Sequence, residues 1–283
     1  MPSNEQRRQA AKRKLERQLE RRAARAKRRR VIGVTVTVVA VLAVVGGVYW
    51  LATSESSTDA SANPSDTSTT PPPPPGKQSE GPCKYTETPA EPAAKEAGLP
   101  PDANPTPDKG TVQADFKTSQ GVIPLTLDRA KAPCTVQSFT HLIAKKYYDN
   151  TTCHRLTTGE GLKVLQCGDP KGTGQGGPGY TIKDEKPKDL KAGPKEGVSI
   201  YPRGTLAMAK TQAPDSGGSQ FFMVTGDSQL PPEYTVFGSV SEEGMKVLDN
   251  VAAAGAEAGE PGAPPGDGKP KLETKIETAT LKG

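Results

Sequence analysis

The stretch Gly218-Ser219-Gln220-Phe221-Phe222-Met223-Val224-Thr225 decides the fold. Turn residues lead into a short apolar and aromatic run, which reads as a strand over Gln220–Thr225. Similar short strand signals lie at Cys153–Leu156, Leu162–Gln166, Thr205–Ala209 and Thr235–Val240. Earlier in the chain, Val112, Ala114 and Phe116 alternate, Ser119-Gln120-Gly121 makes a turn, and Ile123, Leu125 and Leu127 alternate again. That pattern predicts a β-hairpin. After Pro133, the residues Val136, Phe139, Leu142, Ile143 and Tyr147 recur at helical spacing, and Met245, Val247, Leu248 and Val251 do so within Glu242–Ala254. A last strand fits Lys271–Leu281. Many short strands with two helices predict a mainly β domain, a closed antiparallel barrel capped by the helices.

The composition bounds the rest. Only 33% of the 283 residues are hydrophobic, and the 30 Gly and 28 Pro show no three-residue repeat, which excludes collagen and predicts much loop or linker. With two His and four Cys, a His-rich or Cys-rich metal scaffold is excluded, and no C-x-x-C supports redox catalysis or zinc. The net charge of +5 is unevenly placed: residues 1–30 hold 13 Lys and Arg against 3 acidic side chains, so the remainder is net acidic. A basic tail with an acidic remainder does not look like a folded nucleic-acid binder.

Val31 to Ala52 is uncharged over 22 residues, Val-rich, and closed by Tyr49 and Trp50. At about 1.5 Å per residue it is long enough for a bilayer core of about 30 Å. With the basic residues just before it, the positive-inside rule puts 1–30 in the cytoplasm and everything after the span outside. A cleaved signal peptide competes with this reading, but the apolar core is longer than such peptides use. Residues 53–110 are rich in Ser, Thr and Pro, with Pro71 to Pro75 unbroken, and read as an extracytoplasmic stalk. The folded domain is then 111–283. Cys83, Cys134, Cys153 and Cys167 lie outside the membrane, where disulfides form. Four cysteines allow three pairings; Cys153 with Cys167, on strands that look paired, is one candidate.

Three segments stand out together: Cys153-His154-Arg155-Leu156, Val164-Leu165-Gln166-Cys167-Gly168-Asp169, and Gly218-Ser219-Gln220-Phe221-Phe222-Met223. Gly204-Thr205-Leu206-Ala207-Met208-Ala209 and Tyr234-Thr235-Val236-Phe237-Gly238 accompany them. In this order and spacing, over about 111–283, they resemble the cyclophilin-type peptidyl-prolyl cis-trans isomerases. The anchor, the stalk and Gln229-Leu230-Pro231-Pro232 are similar to the membrane-anchored actinobacterial kind. The resemblance implies an eight-stranded barrel and an enzyme needing no cofactor or metal. It also implies proline-containing unfolded or exported polypeptides as partners of a monomer, tied to the lipid bilayer through 31–52, with no nucleic acid.

The chemistry follows from the bond itself. Rotation about X-Pro faces a barrier of about 18–20 kcal/mol because the C–N bond is partly double. As it twists, the proline nitrogen pyramidalises and becomes a hydrogen-bond acceptor. A preorganised, permanently charged guanidinium stabilises that state more than the planar one. By resemblance Arg155 is this catalytic arginine. Phe222 resembles the floor of the proline pocket, Val164 its wall, and Leu230 its leucine. Gln166 and Gln220 resemble the glutamines holding arginine and substrate backbone. Ala209 and the backbone of Lys210 resemble the rim that pairs with the peptide. His154 resembles the histidine before the arginine, and Tyr234 stands where many members have histidine.

The chain departs from the family's pattern. Lys163 or Leu162 stands for a pocket phenylalanine, the stretch between Arg155 and Gln166 is longer, and no tryptophan precedes Leu230, which predicts weak cyclosporin binding. Taken singly, Arg155 reads as a surface arginine, Phe222 and Val164 as core, and the glutamines as strand polar residues; only the joint pattern points to a site. A catalytically weak proline-peptide binding chaperone or scaffold is the competing function. A His154–Ser219–Asp169 triad is disfavoured, since no G-x-S-x-G elbow is present. Gly172-Thr173-Gly174-Gln175-Gly176-Gly177 satisfies G-x-G-x-x-G, but Pro178-Gly179 follows where a helix is required, so it reads as a flexible surface loop. Lys183–Lys195 and Gly255–Pro270 read as loops, and His141 as a surface residue.

Overall fold

The computed structural model describes residues 76–259 and 263–282. The basic tail, the apolar run 31–52 and the stalk up to residue 75 lie outside the described residues. Among the described residues no helix is long and apolar enough to cross a membrane.

The elements in chain order are β1 (Thr86–Glu87), β2 (Thr111–Thr118), β3 (Gly121–Asp128), α1 (Pro133–Ala144), β4 (Thr151–Thr152), β5 (Arg155–Gly159) and β6 (Leu162–Cys167). There follow β7 (Tyr180–Thr181), β8 (Lys191–Ala192), β9 (Ser199–Tyr201), β10 (Thr205–Met208), β11 (Phe221–Val224), β12 (Ser228–Leu230) and β13 (Val236–Val240). The chain ends with α2 (Glu242–Ala254), β14 (Asp267–Gly268) and β15 (Lys275–Leu281). The expected hairpin is β2–β3, paired from Thr111↔Asp128 to Thr118↔Gly121. Its alternation buries Ala114, Phe116, Ile123, Leu125 and Leu127. Helix α2 starts where local chemistry says it should: the Ser241 hydroxyl accepts from Gly244 N–H, and Glu242 and Glu243 sit in the first turn. Helix α1 lacks a side-chain cap of its own. The Glu185 carboxylate supplies one from a distance, accepting from Cys134 and Thr135 N–H at 3.1 and 2.8 Å.

The main sheet has ten strands in the order β14-β5-β6-β11-β10-β13-β3-β2-β15-β4. This corrects the expected closed eight-stranded barrel: the order has two free edges, β14 and β4. Strand β4 nonetheless ends two residues before β5, near the opposite edge, and two residues span only about 7 Å. The sheet must therefore curl almost fully round. Between β4 and β5, Cys153 N–H donates to Thr274 O on the β15 side and His154 N–H to Gln166 O on the β6 side. The Cys153–Cys167 disulfide staples this link. Inside the curl, Phe116, Phe139, Tyr148, Phe221 and Phe237 pack with ring centroids 4.8–5.8 Å apart.

The stalk expectation needs correction for residues 76–110, which form a strap packed on the domain. Cys83 and Tyr85 are fully buried. Cys83 is bonded to Cys134 at the start of α1, and the Tyr85 hydroxyl donates to Cys134 O at 2.7 Å. Strand β1 pairs with β7, and His141 Nε2 lies 3.1 Å from both Ala97 O and Gly98 O. Further along the strap, Ala97 is buried in the core and Leu99 packs against it.

Candidate active site

Antiparallel register places the candidate residues. Arg155 stands opposite Gln166, Gln166 opposite Phe222, and Phe222 opposite Ala207. Since side chains alternate, Arg155, Val164, Gln166, Phe222 and Ala207 share one face of the sheet. The intervening Leu156, Leu165, Phe221 and Leu206 turn inward to the core. On the outer face, Val164, Tyr201, Ala207, Phe222, Val224 and Val236 make a separate apolar cluster, with Leu162, Leu190, Ala209, Leu230 and Tyr234 packed at its margin.

The polar members form one chain of contacts. The Arg155 guanidinium donates from Nε and Nη2 to the two carboxylate oxygens of Asp267, each at 2.7 Å. Its Nη1 donates to Gln166 Oε1 at 3.4 Å. Gln166 Nε2 donates to Gln220 Oε1 at 2.9 Å, and Gln220 Nε2 donates to Gly174 O and Gly176 O at 2.9 and 3.0 Å. The Asp267 hydrogen bonds raise the already high Arg155 pKa, and the Arg155 bonds hold the Asp267 carboxyl below its usual range. The arginine therefore carries a fixed charge beside an apolar cluster, with its side chain 40% exposed.

The loop read as flexible, 172–177, is organised. Burial would raise the Asp169 pKa, but backbone N–H groups of Lys171, Thr173, Gly174 and Gly176 together hold it down. Three of those bonds are 2.7–2.9 Å long. The signal for this was present in Asp169 itself, an acid directly followed by a glycine-rich turn whose N–H groups need an acceptor.

Other expected residues fall as follows. Lys163 is exposed and Leu162, its neighbour, packs against the apolar cluster, so Leu162 takes the place left open in the sequence. The Lys210 side chain turns away to a buried ion pair with Asp184, 3.0 Å long with both side chains under 10% exposed. Ala209 N–H donates to Gln220 O. Among the described residues, the N–H and C=O of Lys210 have no hydrogen-bond partner, so both are free to pair with an extended peptide. Tyr234 meets Phe222 edge-on at 5.7 Å. His154 points away from Arg155 along the strand, and neither ring nitrogen has a partner; burial lowers its pKa. Its ring lies against Gly174, where a Cβ would come within 3.3 Å of it.

Two residues at the site were not found in the sequence. Asp267 sits in the segment read as loop, and its partner is 112 residues away. Tyr201, fully buried, backs the apolar cluster and accepts from Tyr234 N–H at 3.2 Å. A cavity of about 690 Å³ between Lys186–Leu190, Pro202–Thr205 and α2 touches the same cluster at Leu190 and Val236 from another side. Arg155, Gln166 and Phe222 do not line it. Among the described residues no group of three or more His, Cys, Asp and Glu is arranged to hold a metal ion.

The family model described as cyclophilin type peptidyl-prolyl cis-trans isomerase/CLD matches residues 113–281. A probable peptidyl-prolyl cis-trans isomerase B of Mycobacterium leprae is 45% identical, over 99% of this chain and 100% of that protein. One of the same description from Mycobacterium tuberculosis is 45% identical over 70% of this chain and 63% of that protein. A crystal structure of a Cryptosporidium parvum cyclophilin type isomerase, in the presence of the dipeptide Ala-Pro, is 29% identical with a TM-score of 0.48. It covers 60% of this chain and 99% of that one.

Proposed function

The chain belongs to the cyclophilin-type peptidyl-prolyl cis-trans isomerases, and on that premise we propose how and where it works. Arg155 is the group that stabilises the twisted X-Pro amide. The proline ring rests on the outer apolar cluster of Phe222, Val164, Leu230 and Tyr234. The peptide runs along Ala209 and Lys210, pairing with the free Lys210 backbone. Gln166 and Gln220 keep the arginine on the face that carries the apolar cluster. The observation that carries this reading is the shared sheet face: one fixed cation and one apolar patch on neighbouring strands.

Twisting the amide removes its resonance and leaves a lone pair on the proline nitrogen. A donor already oriented toward that lone pair needs no reorganisation at the moment of rotation. No bond is made to the enzyme, so no nucleophile is required. Isomerisation measured with a protease-coupled proline peptide on residues 76–283 tests the reading. A rate above the uncatalysed one that is lost in Arg155→Ala supports it. Peptide binding with no rate above background would instead make the domain a proline-peptide binder.

The substrates proposed are exported polypeptides, met outside the cell membrane. Two disulfides in the domain support an oxidising compartment. The basic tail followed by an uncharged run of 22 residues supports an anchor with its N-terminus in the cytoplasm. Protease added to intact protoplasts should then remove the domain and spare the tail; a protected domain would reverse the orientation.

A further inference from the structure

We propose that Asp267 is a positioning residue for the isomerase reaction, holding the Arg155 guanidinium by one edge so that its Nη1 edge stays on the side of Gln166 and the proline pocket. The inference rests on the reading of Arg155 as the stabilising cation.

The fold builds this contact deliberately. Strand β14 pairs with β5 through Asp267↔Thr157 and Gly268↔Leu156. Arg155 is two residues from Thr157 on the same face, which makes it the diagonal neighbour of Asp267. Backbone bonds hold the short strand in place: Thr158 N–H to Gly266 O at 2.9 Å, and Asp267 N–H to Pro264 O at 3.1 Å. Gly266 turns the chain with φ +79°, a backbone few other residues adopt. Gly268 runs so close to Glu257 O that a Cβ could not be fitted. This two-residue strand has little core to bury; what it delivers is a carboxylate.

The geometry of the contact has a consequence. A guanidinium is planar, so two parallel bonds along its Nε–Nη2 edge fix both its plane and its direction within that plane. Both Asp267 oxygens are used on Arg155. Among the described residues they bond to nothing else. The donors left over are on Nη1 and the outer Nη2 proton. Nη1 meets Gln166, which faces Phe222 across the strand pair. Without Asp267 the half-exposed side chain has several rotamers, and only some place a donor over the pocket. Partly exposed ion pairs add little to folding stability, so the effect of losing this one is expected in turnover rather than in folding.

The test uses the full chain in mild detergent, with kcat and KM measured on a proline peptide. Asp267→Asn, which keeps the shape, is expected to lower kcat about tenfold with KM within about twofold, since small misplacements of a catalytic group cost up to about a hundredfold. Asp267→Glu should recover part of the loss. Asp267→Asn added to Arg155→Ala should cost nothing further. The Arg155 Nε–H resonance should exchange slowly in the wild type and move on Asp267→Asn. That resonance also decides the matter if a variant does not fold: a fast-exchanging Nε–H in the wild type overturns the proposal. So does a wild-type kcat in Asp267→Asn while Arg155→Ala is inactive. A wild-type rate in Arg155→Ala would instead overturn the underlying role of Arg155.

Discussion

Replacing Cys83 and Cys134 by alanine should cost much of the domain's stability, because it frees the strap. The bridge spans a sequence separation of 51. In the chain-entropy account, a loop of that size restricts the unfolded state by about 4 kcal/mol. Tyr85, fully buried beside the bridge, adds about 2 kcal/mol of apolar burial that is lost if the strap lifts away. With a urea slope of about 2–3 kcal/mol/M, loss of the cross-link alone lowers the midpoint by roughly 1.3–2 M. The single Trp of the chain is Trp50, outside residues 76–283, so far-UV circular dichroism is the probe to follow. The same reasoning gives about 3 kcal/mol for Cys153–Cys167, whose separation is 14. A fragment beginning at residue 111 should be weaker still, since it lacks Tyr85 and leaves Cys134 alone. An unchanged midpoint in the double alanine variant, or a 111–283 fragment as stable as 76–283, would refute the claim that the strap belongs to the domain.

Further expectations concern single groups. Burial lowers the folded pKa of His154 from about 6.5 in the unfolded chain, so below that pH the unfolded state binds a proton the folded state resists. Stability should therefore fall on acidification from about pH 6.5 down through the lowered folded pKa, and His154→Gln should flatten that slope; identical slopes by urea titration would refute it. Lys210→Met should cost about 3 kcal/mol, by leaving the buried Asp184 carboxyl, among the described residues, with the Asp215 N–H as its remaining partner. The double variant with Asp184→Met should recover part of that in the same titration, and no recovery would contradict the pairing.

The sequence was legible where structure is decided locally. Alternation marked β2 and β3, and the helical period marked α1 and, over Glu242–Ala254, α2. The resemblance groups Arg155, Gln166, Gln220, Phe222 and Val164; in the register Arg155, Val164, Gln166 and Phe222 share one face, and Gln220 meets Gln166 through a side-chain hydrogen bond. It was not legible where partners are distant. Asp267 looks like any acid in a glycine turn until β14 lies beside β5. The strap reads as stalk because it is rich in Pro and Ala and has little periodicity; a disulfide, a buried tyrosine, the β1–β7 pairing and His141 hold it to the domain. The open edges are not legible, because periodicity says nothing about edges and the Cys153-His154 link between β4 and β5 is two residues long. Lys163 and Leu162 were indistinguishable as pocket candidates until the two-residue turn of the β5–β6 hairpin assigned each its face.

The account's central claim is that one preoriented guanidinium lowers the barrier to rotation. The most direct measurement is kcat/KM of residues 76–283 carrying Arg155→Ala, beside Arg155→Lys, with folding checked by circular dichroism. A folded Arg155→Ala should lose about 10²–10³-fold, as removal of a preorganised donor does elsewhere, and lysine, lacking the planar fork, should recover little. A folded Arg155→Ala within about threefold of wild type would contradict the account, being far short of the loss expected for such a donor.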